Sequence, residues 1–266
     1  MDVATSRDGT RIAYDRSGSG PALILVDGAL GHRAFNPHGA ALADLLQDAF
    51  TVHTYDRRGR GDSGDTAPYA VEREIEDLEA LIRAAGGRAH LFGMSSGAVL
   101  ALDAAAHGLA VEALALYEPP FIVDGSRPPL PPDYAVRVGA LAGEGRRAEA
   151  VEYFMTAAVG LPAELLGGMR EDPSFARMEQ VAHTLAYDAA VMGGTMSGVP
   201  LPPHRWASVT VPVLVADGGK SEHTFADGAD ALAAVLRDVR RTTLDGQTHD
   251  VDPEVLAPVL RDFFAH

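Results

Sequence analysis

Five residues, Gly93-Met94-Ser95-Ser96-Gly97, stand between an apolar run, Ala89-His90-Leu91-Phe92, and a helix-forming run from Ala98 to Ala106. Strand, sharp turn and helix in quick succession commit this stretch to a βα unit, the building block of a parallel sheet. In that context G-x-S-x-G reads as an elbow that lifts a serine hydroxyl from the top of the sheet, at the positive end of a helix. Small flanking residues let strand and helix approach closely, and glycine accepts the backbone angles that crowding imposes. In a chain with 28 glycines the bare pattern says little. The strand and helix around it carry the reading.

The same alternation runs along most of the chain. Asp8-Gly9 lies between two short strand-like runs, the second being Arg11-Ile12-Ala13-Tyr14, and predicts a hairpin. Ala22 to Val26 is continuously apolar, as expected for a parallel strand covered on both faces. A helix over Ala40 to Gln47, a strand over Phe50 to Tyr55 and a helix over Val71 to Ala85 follow, the last with Ile75, Leu78, Leu81 and Ile82 on one face. The strand into Gly93, the helix after Ser95 and a strand over Ala113 to Tyr117 complete the first block. Beyond Glu118 the pattern changes. Prolines and glycines multiply, helical stretches are expected at Ala148 to Ala158 and Phe175 to Tyr187, and no strong strand is visible until Val211 to Ala216. A helix over Asp227 to Arg237, a strand over Arg240 to Leu244 and a helix with Asp252 as N-cap and Pro253 at its first position end the chain. The expected fold class is α/β: a doubly wound, mostly parallel sheet formed by residues 1–120 and 206–266, with a helical cap, 121–205, inserted.

An activated serine needs a histidine base, and the base needs a carboxylate to fix its tautomer. With an elbow serine the chain order is Ser, then Asp or Glu, then His. Of the ten histidines, His249 is the one on the loop after the final strand, which reaches back over the C-terminal edge of the sheet. His90 lies in a strand and His107 ends a helix, so both read as structural; His183, His204 and His223 are cap or loop residues. The acid has three candidates. Asp217 and Glu222 lie in or after the strand ending near Ala216, where such an acid usually falls, but Asp217 is close to the strand itself. Glu118 directly follows the strand beside the elbow, and Pro119 is expected to hold it extended. The position favours Glu118. Two backbone amides should stabilise an oxyanion: that of Ser96, and that of Ala29 in the loop Asp27-Gly28-Ala29-Leu30-Gly31.

Taken together these residues resemble the α/β-hydrolase superfamily over nearly the whole chain outside the cap. Tyr55 to Ser63, with Asp56-Arg57-Arg58-Gly59-Arg60-Gly61, looks like that family's segment after its fourth strand. The chain departs from the common pattern in two places. Asp27-Gly28 stands where most members carry His-Gly, and the acid falls after the sixth strand, as Glu118. Both departures, with the run Ser95-Ser96-Gly97-Ala98, are similar to zearalenone lactonases, which open the macrocyclic ester of a resorcylic-acid toxin. Haloalkane dehalogenases share the early acid but use aspartate where this chain has Ser95, which argues against dehalogenation.

The expectation is therefore a cofactor-independent serine hydrolase acting on a hydrophobic ester or lactone. Asp27, Gly28 and Trp206 are expected to contact substrate. The cap offers Phe121, Tyr134, Tyr153, Phe154, Met155, Leu165, Met169 and Met192 besides, although about half of these should only pack the cap itself. Carbon–carbon bond cleavage or cyanohydrin lysis on the same triad, or a non-catalytic small-molecule receptor on the same pocket, are the alternatives. No metal is expected, since the chain has no cysteine and no H-E-x-x-H pair. A net charge of −15 argues against nucleic acid or an anionic membrane surface as partner. The polar start, Met1 to Arg7, and the lack of any long apolar run point to a cytoplasmic location. A homodimer stays open.

Overall fold

β3 (Ala22–Val26) is buried at every position, and its side chains alternate between two cores. Ile24 and Val26 join Leu91, Leu114, Leu116, Val213 and Val215 on one face of the sheet, while Leu23 and Leu25 join Val52, Phe92, Ala115, Leu214 and Ala216 on the other. A continuous apolar strand is stable only with helices on both sides, and that is the arrangement found. The computed structural model describes residues 1–265. Its eight strands are β1 (Asp2–Thr5), β2 (Arg11–Gly18), β3, β4 (Thr51–Tyr55), β5 (Ala89–Met94), β6 (Val111–Tyr117), β7 (Val213–Gly218) and β8 (Val239–Leu244), in the order β1-β2-β4-β3-β5-β6-β7-β8. β2 runs antiparallel to β1 and β4; every other pair is parallel.

Helices α1 (Pro37–Leu46) and α10 (Pro253–Phe264) cover one face through Leu42, Leu46, Leu256, Leu260 and Phe264. α2 (Val71–Ala84), α3 (Ser96–Ala106) and α9 (His223–Val235) share the core on the other face. α3 is buried from Ser96 to Ala104, which explains why it is built of small and aliphatic residues rather than an amphipathic pattern. α10 starts as its sequence demands: Asp252 accepts a hydrogen bond from the Glu254 amide, and proline occupies the first position.

Between β6 and β7 the described residues form helices only: α4 (Tyr134–Gly143), α5 (Arg147–Tyr153), α6 (Leu166–Glu171), α7 (Pro173–Gln180) and α8 (Leu185–Met192). Tyr134, Val138, Leu141, Val151, Phe175 and Leu185 make a core of their own here. The ends of the segment behave differently, since Phe121, Ile122, Met196 and Leu201 pack into the main core beneath α3. Two local expectations are corrected. The stretch Phe175 to Tyr187 is not one helix, because Val181 leaves helical geometry and a 3₁₀ turn, Ala182–Thr184, intervenes before α8. The stretch Ala148 to Ala158 changes winding midway: α5 passes into a π-helical segment, Phe154–Val159, ended by Gly160 at φ +86°. Among the described residues no helix is long and apolar enough to cross a membrane.

Candidate active site

The elbow forms where the glycines permit it. Ser95 has φ +56°, a left-handed value that costs a non-glycine residue about 1–2 kcal/mol. A Cβ on Gly93 would meet the Gly97 carbonyl oxygen at 2.5 Å, and one on Gly97 would meet the Val26 oxygen at 2.2 Å, so no other residue fits at either place. The turn is held by the Ser95 amide, which donates to the Tyr117 carbonyl at 2.9 Å. Gly28 crosses directly above Ser95: a Cβ there would lie 2.8 Å from Ser95 Cβ and 3.4 Å from its Oγ. Loop 27–31 is thereby close enough for its amides to reach an oxygen held on Ser95.

Glu118 leaves β6 with no exposed surface and φ +47°. The extended backbone expected ahead of Pro119 is therefore not found. Instead the residue turns left-handed, fixed by its amide on the Ala216 carbonyl at 3.0 Å and by both carboxylate oxygens. Oε1 accepts from the Gly218 amide at 2.7 Å, and Oε2 lies 2.7 Å from His249 Nδ1. The histidine loop is tethered from below by the Tyr117 hydroxyl, which donates to the Thr248 carbonyl at 2.6 Å. Phe225 stacks on the His249 ring at 4.9 Å. Ser95 and His249 line the same cavity.

The other two acid candidates go elsewhere. Strand β7 begins later than expected, after Pro212, and runs on through Asp217 and Gly218. Asp217 is thus a strand residue, buried with Arg241 at 2.6 Å and the Thr243 hydroxyl at 2.7 Å. Glu222 precedes α9 at the rim of the cavity, exposed to solvent and apart from the histidine.

The cavity measures about 730 Å³. Asp27, Gly28, Ala29 and Ser96 line it beside Ser95 and His249, and Tyr134, Phe154, Met155 and Met192 supply apolar wall from the cap. Trp206 does not reach it. Its ring is 1% exposed, tilted against Phe121, and its indole N–H donates to Asp103 at 2.7 Å, so it anchors the end of the cap segment to α3. Phe121 is core, Tyr153 faces a separate surface groove, and Leu165 and Met169 lie outside the cavity. Residues that sequence reasoning missed take their place: Leu30, Phe35, Met178, Met196 and Phe225.

A polar cluster behind the elbow was also missed. Arg57 and Arg60, each 1% exposed, converge on Asp188 of α8: Arg57 Nη1 reaches Oδ1 and Arg60 Nη2 reaches Oδ2, both at 2.7 Å. Arg57 also makes a two-pronged pair with Glu74 at 2.7 Å. Burial would raise the Asp188 carboxyl, but Arg60 and Arg57 outweigh it and hold the group below its ordinary value. The only hint in the sequence was three arginines within Arg57–Arg60, because guanidinium groups that become buried require carboxylates.

Asp27 behaves in the opposite sense. Burial pushes its carboxyl from 3.8 up to about 6, against the lowering influence of the Asn36 amide and of Arg60 and Arg57. The fold thus prefers the neutral acid, and the stability it gains is complete below pH 3.8 and lost as pH rises through about 6. Asp27→Asn, neutral throughout, should melt with the parent near pH 4 and above it at pH 8, by about 1–3 kcal/mol or a few degrees. Thermal melts of both proteins across this range check the point, and a Tm difference independent of pH would refute it.

A family model described as "Alpha/beta hydrolase family" matches residues 10–259. The structure superposes on an alpha/beta hydrolase from Sphaerobacter thermophilus with a TM-score of 0.91 and 56% identity, covering 99% of this chain and 100% of that one. A thermophilic esterase from Thermogutta terrifontis shares the fold at a TM-score of 0.73 and 20% identity, over 99% and 97% of the two chains. Among curated proteins, the uncharacterized hydrolase YraK of Bacillus subtilis is 38% identical over 99 residues, which is 36% of this chain and 35% of that protein. With the family model spanning strand β2 to helix α10, the chain belongs to the alpha/beta hydrolase family.

Proposed function

We propose that this chain is a serine hydrolase that cleaves a hydrophobic ester or lactone through Ser95, His249 and Glu118. One observation carries the reading: the 2.7 Å pair of His249 Nδ1 with the fully buried Glu118, set in the same cavity as a serine held at positive φ. In the reaction His249 Nε2 takes the Ser95 proton as Oγ attacks the carbonyl carbon, and the amides of Ala29 and Ser96 stabilise the oxyanion. Collapse expels the alkoxide, which takes the proton from the imidazolium and leaves an acyl-enzyme. Water, deprotonated by the same histidine, then attacks the acyl carbon, and collapse returns a proton to Ser95 with release of the acid.

The finer reading is a lactonase of aromatic macrocycles of the zearalenone kind. The size of the cavity supports it, as do its apolar walls and the Asp27-Gly28 loop. Met94, Met155, Met178, Met192 and Met196, five of the seven methionines, line the cavity, and flexible thioethers mould readily to an aromatic ring. Since each apolar contact contributes about 1–3 kcal/mol, a filled cavity should raise kcat/KM at least tenfold. Zearalenone, or an aromatic lactone of similar size, should thus be hydrolysed with at least tenfold higher kcat/KM than p-nitrophenyl acetate. A panel of aryl esters, small lactones and macrolactones tests this. Rapid turnover of short aryl esters with none of any macrolactone would leave only the general esterase reading.

A further inference from the structure

We infer that Asp188, a cap residue, is a positioning residue for the oxyanion hole, joining the cap to both proposed donor amides through Ser96, Arg57 and Arg60. The inference rests on the serine hydrolase reading above. Ser96 supplies one donor amide at the start of α3, and its hydroxyl donates to Asp188 Oδ1 at 2.7 Å. The second donor is the N–H of the Gly28–Ala29 peptide. In a planar trans peptide the C=O and N–H point in opposite directions, so fixing one aims the other. The Gly28 carbonyl accepts from Arg60 Nη1 at 2.6 Å, and Arg60 Nη2 is bound to Asp188 Oδ2. Arg57 Nη1, bound to Oδ1, also reaches the Asp27 carbonyl at 3.3 Å, one peptide earlier. A single buried carboxylate thus sets the position of both donors.

The guanidinium on the Gly28 carbonyl also polarises that peptide and makes its N–H a stronger donor. Asp188 and Glu74 together balance the two cations, so the elbow gains polarisation without leaving uncompensated charge beneath it. Asp188 and its neighbours on α8, Ala189 and Met192, line the cavity. A substrate that seats the cap against the core therefore seats the same helix that holds the hole. Binding energy from remote apolar groups reaches kcat by this route rather than KM alone.

Steady-state kinetics on p-nitrophenyl butyrate, with inhibition by phenylboronic acid as a tetrahedral mimic, separate positioning from bulk stability. Removing an oxyanion donor outright costs about 10²–10³ in kcat, so displacing donors should cost somewhat less. Asp188→Asn should lower kcat about 30- to 100-fold with KM within about threefold, and weaken the boronic acid by a similar factor. Ser96→Ala, which keeps every ion pair, should lose about tenfold, and the double variant should be little worse than Asp188→Asn. If folded Asp188→Asn keeps kcat and boronic acid affinity within threefold of the parent, the inference is overturned. Should that variant not fold, Ser96→Ala decides alone by the same criterion. Fluorophosphonate labelling of Ser95 in the parent separates the two levels: labelling with unaffected variants sinks only the role of Asp188, whereas an unlabelled parent removes the hydrolase reading and this inference with it.

Discussion

Ser95→Ala is expected to lower kcat on any accepted ester by about 10⁶-fold, to the level left by the oxyanion donors and substrate binding alone. The size of the loss follows from the division of labour in the site. In the proposed mechanism His249 moves one proton from Oγ and back while Glu118 orients it, so without Oγ neither has a partner in the reaction. The fold should not register the change. Ser95 holds its backbone through its amide on the Tyr117 carbonyl, and alanine carries the same positive-φ cost as serine. Circular dichroism and Tm should match the parent while turnover of p-nitrophenyl esters disappears. Fluorophosphonate labelling should vanish with it. Residual activity within tenfold of the parent would mean that another group attacks the carbonyl, and the triad reading would fall.

Much of this site was legible in the sequence because its parts are local. The elbow needs glycine at 93 and 97 for contacts made within one strand–turn–helix unit, so its pattern is continuous in the chain. The histidine loop is equally readable, since it directly follows the last strand. What was not legible is what depends on distant pairing. Asp188 lies 131 residues from Arg57, on a helix buried among apolar neighbours, and only folding brings the charges together. Trp206 shows the converse error. An aromatic residue near the end of a cap segment suggests a pocket wall, but its indole N–H required an acceptor and found it in Asp103, away from the cavity. Glu118 was favoured by position as the histidine's partner and does pair with it, whereas its left-handed backbone was not foreseen. The preference imposed by Pro119 is local and weak, and three hydrogen bonds from β7 and the histidine loop override it.

Glu118→Gln should reduce kcat several thousandfold, by analogy with the roughly 10⁴-fold loss when the orienting acid of a serine protease becomes an amide. The geometry says why an isosteric change is so costly. Oε1 accepts from the Gly218 amide, a buried donor with nowhere else to turn, so the glutamine oxygen must stay on that side. Its NH₂ group then faces His249 Nδ1 at the position of Oε2. An amide hydrogen there can meet only an unprotonated Nδ1, which moves the ring proton to Nε2, the nitrogen that must accept the Ser95 proton. The glutamine therefore removes the charge that stabilises the imidazolium and also selects the wrong tautomer. Raising the pH should not rescue it, because the fault is the site of the proton and not the number of protons. Glu222→Gln and Asp217→Asn should each cost less than tenfold in kcat. Asp217→Asn should lower Tm instead, since Arg241 and Thr243 lose a buried charged partner. A Glu222→Gln enzyme more impaired than Glu118→Gln would reverse the assignment, and the contact of Glu118 with His249 would then be structural.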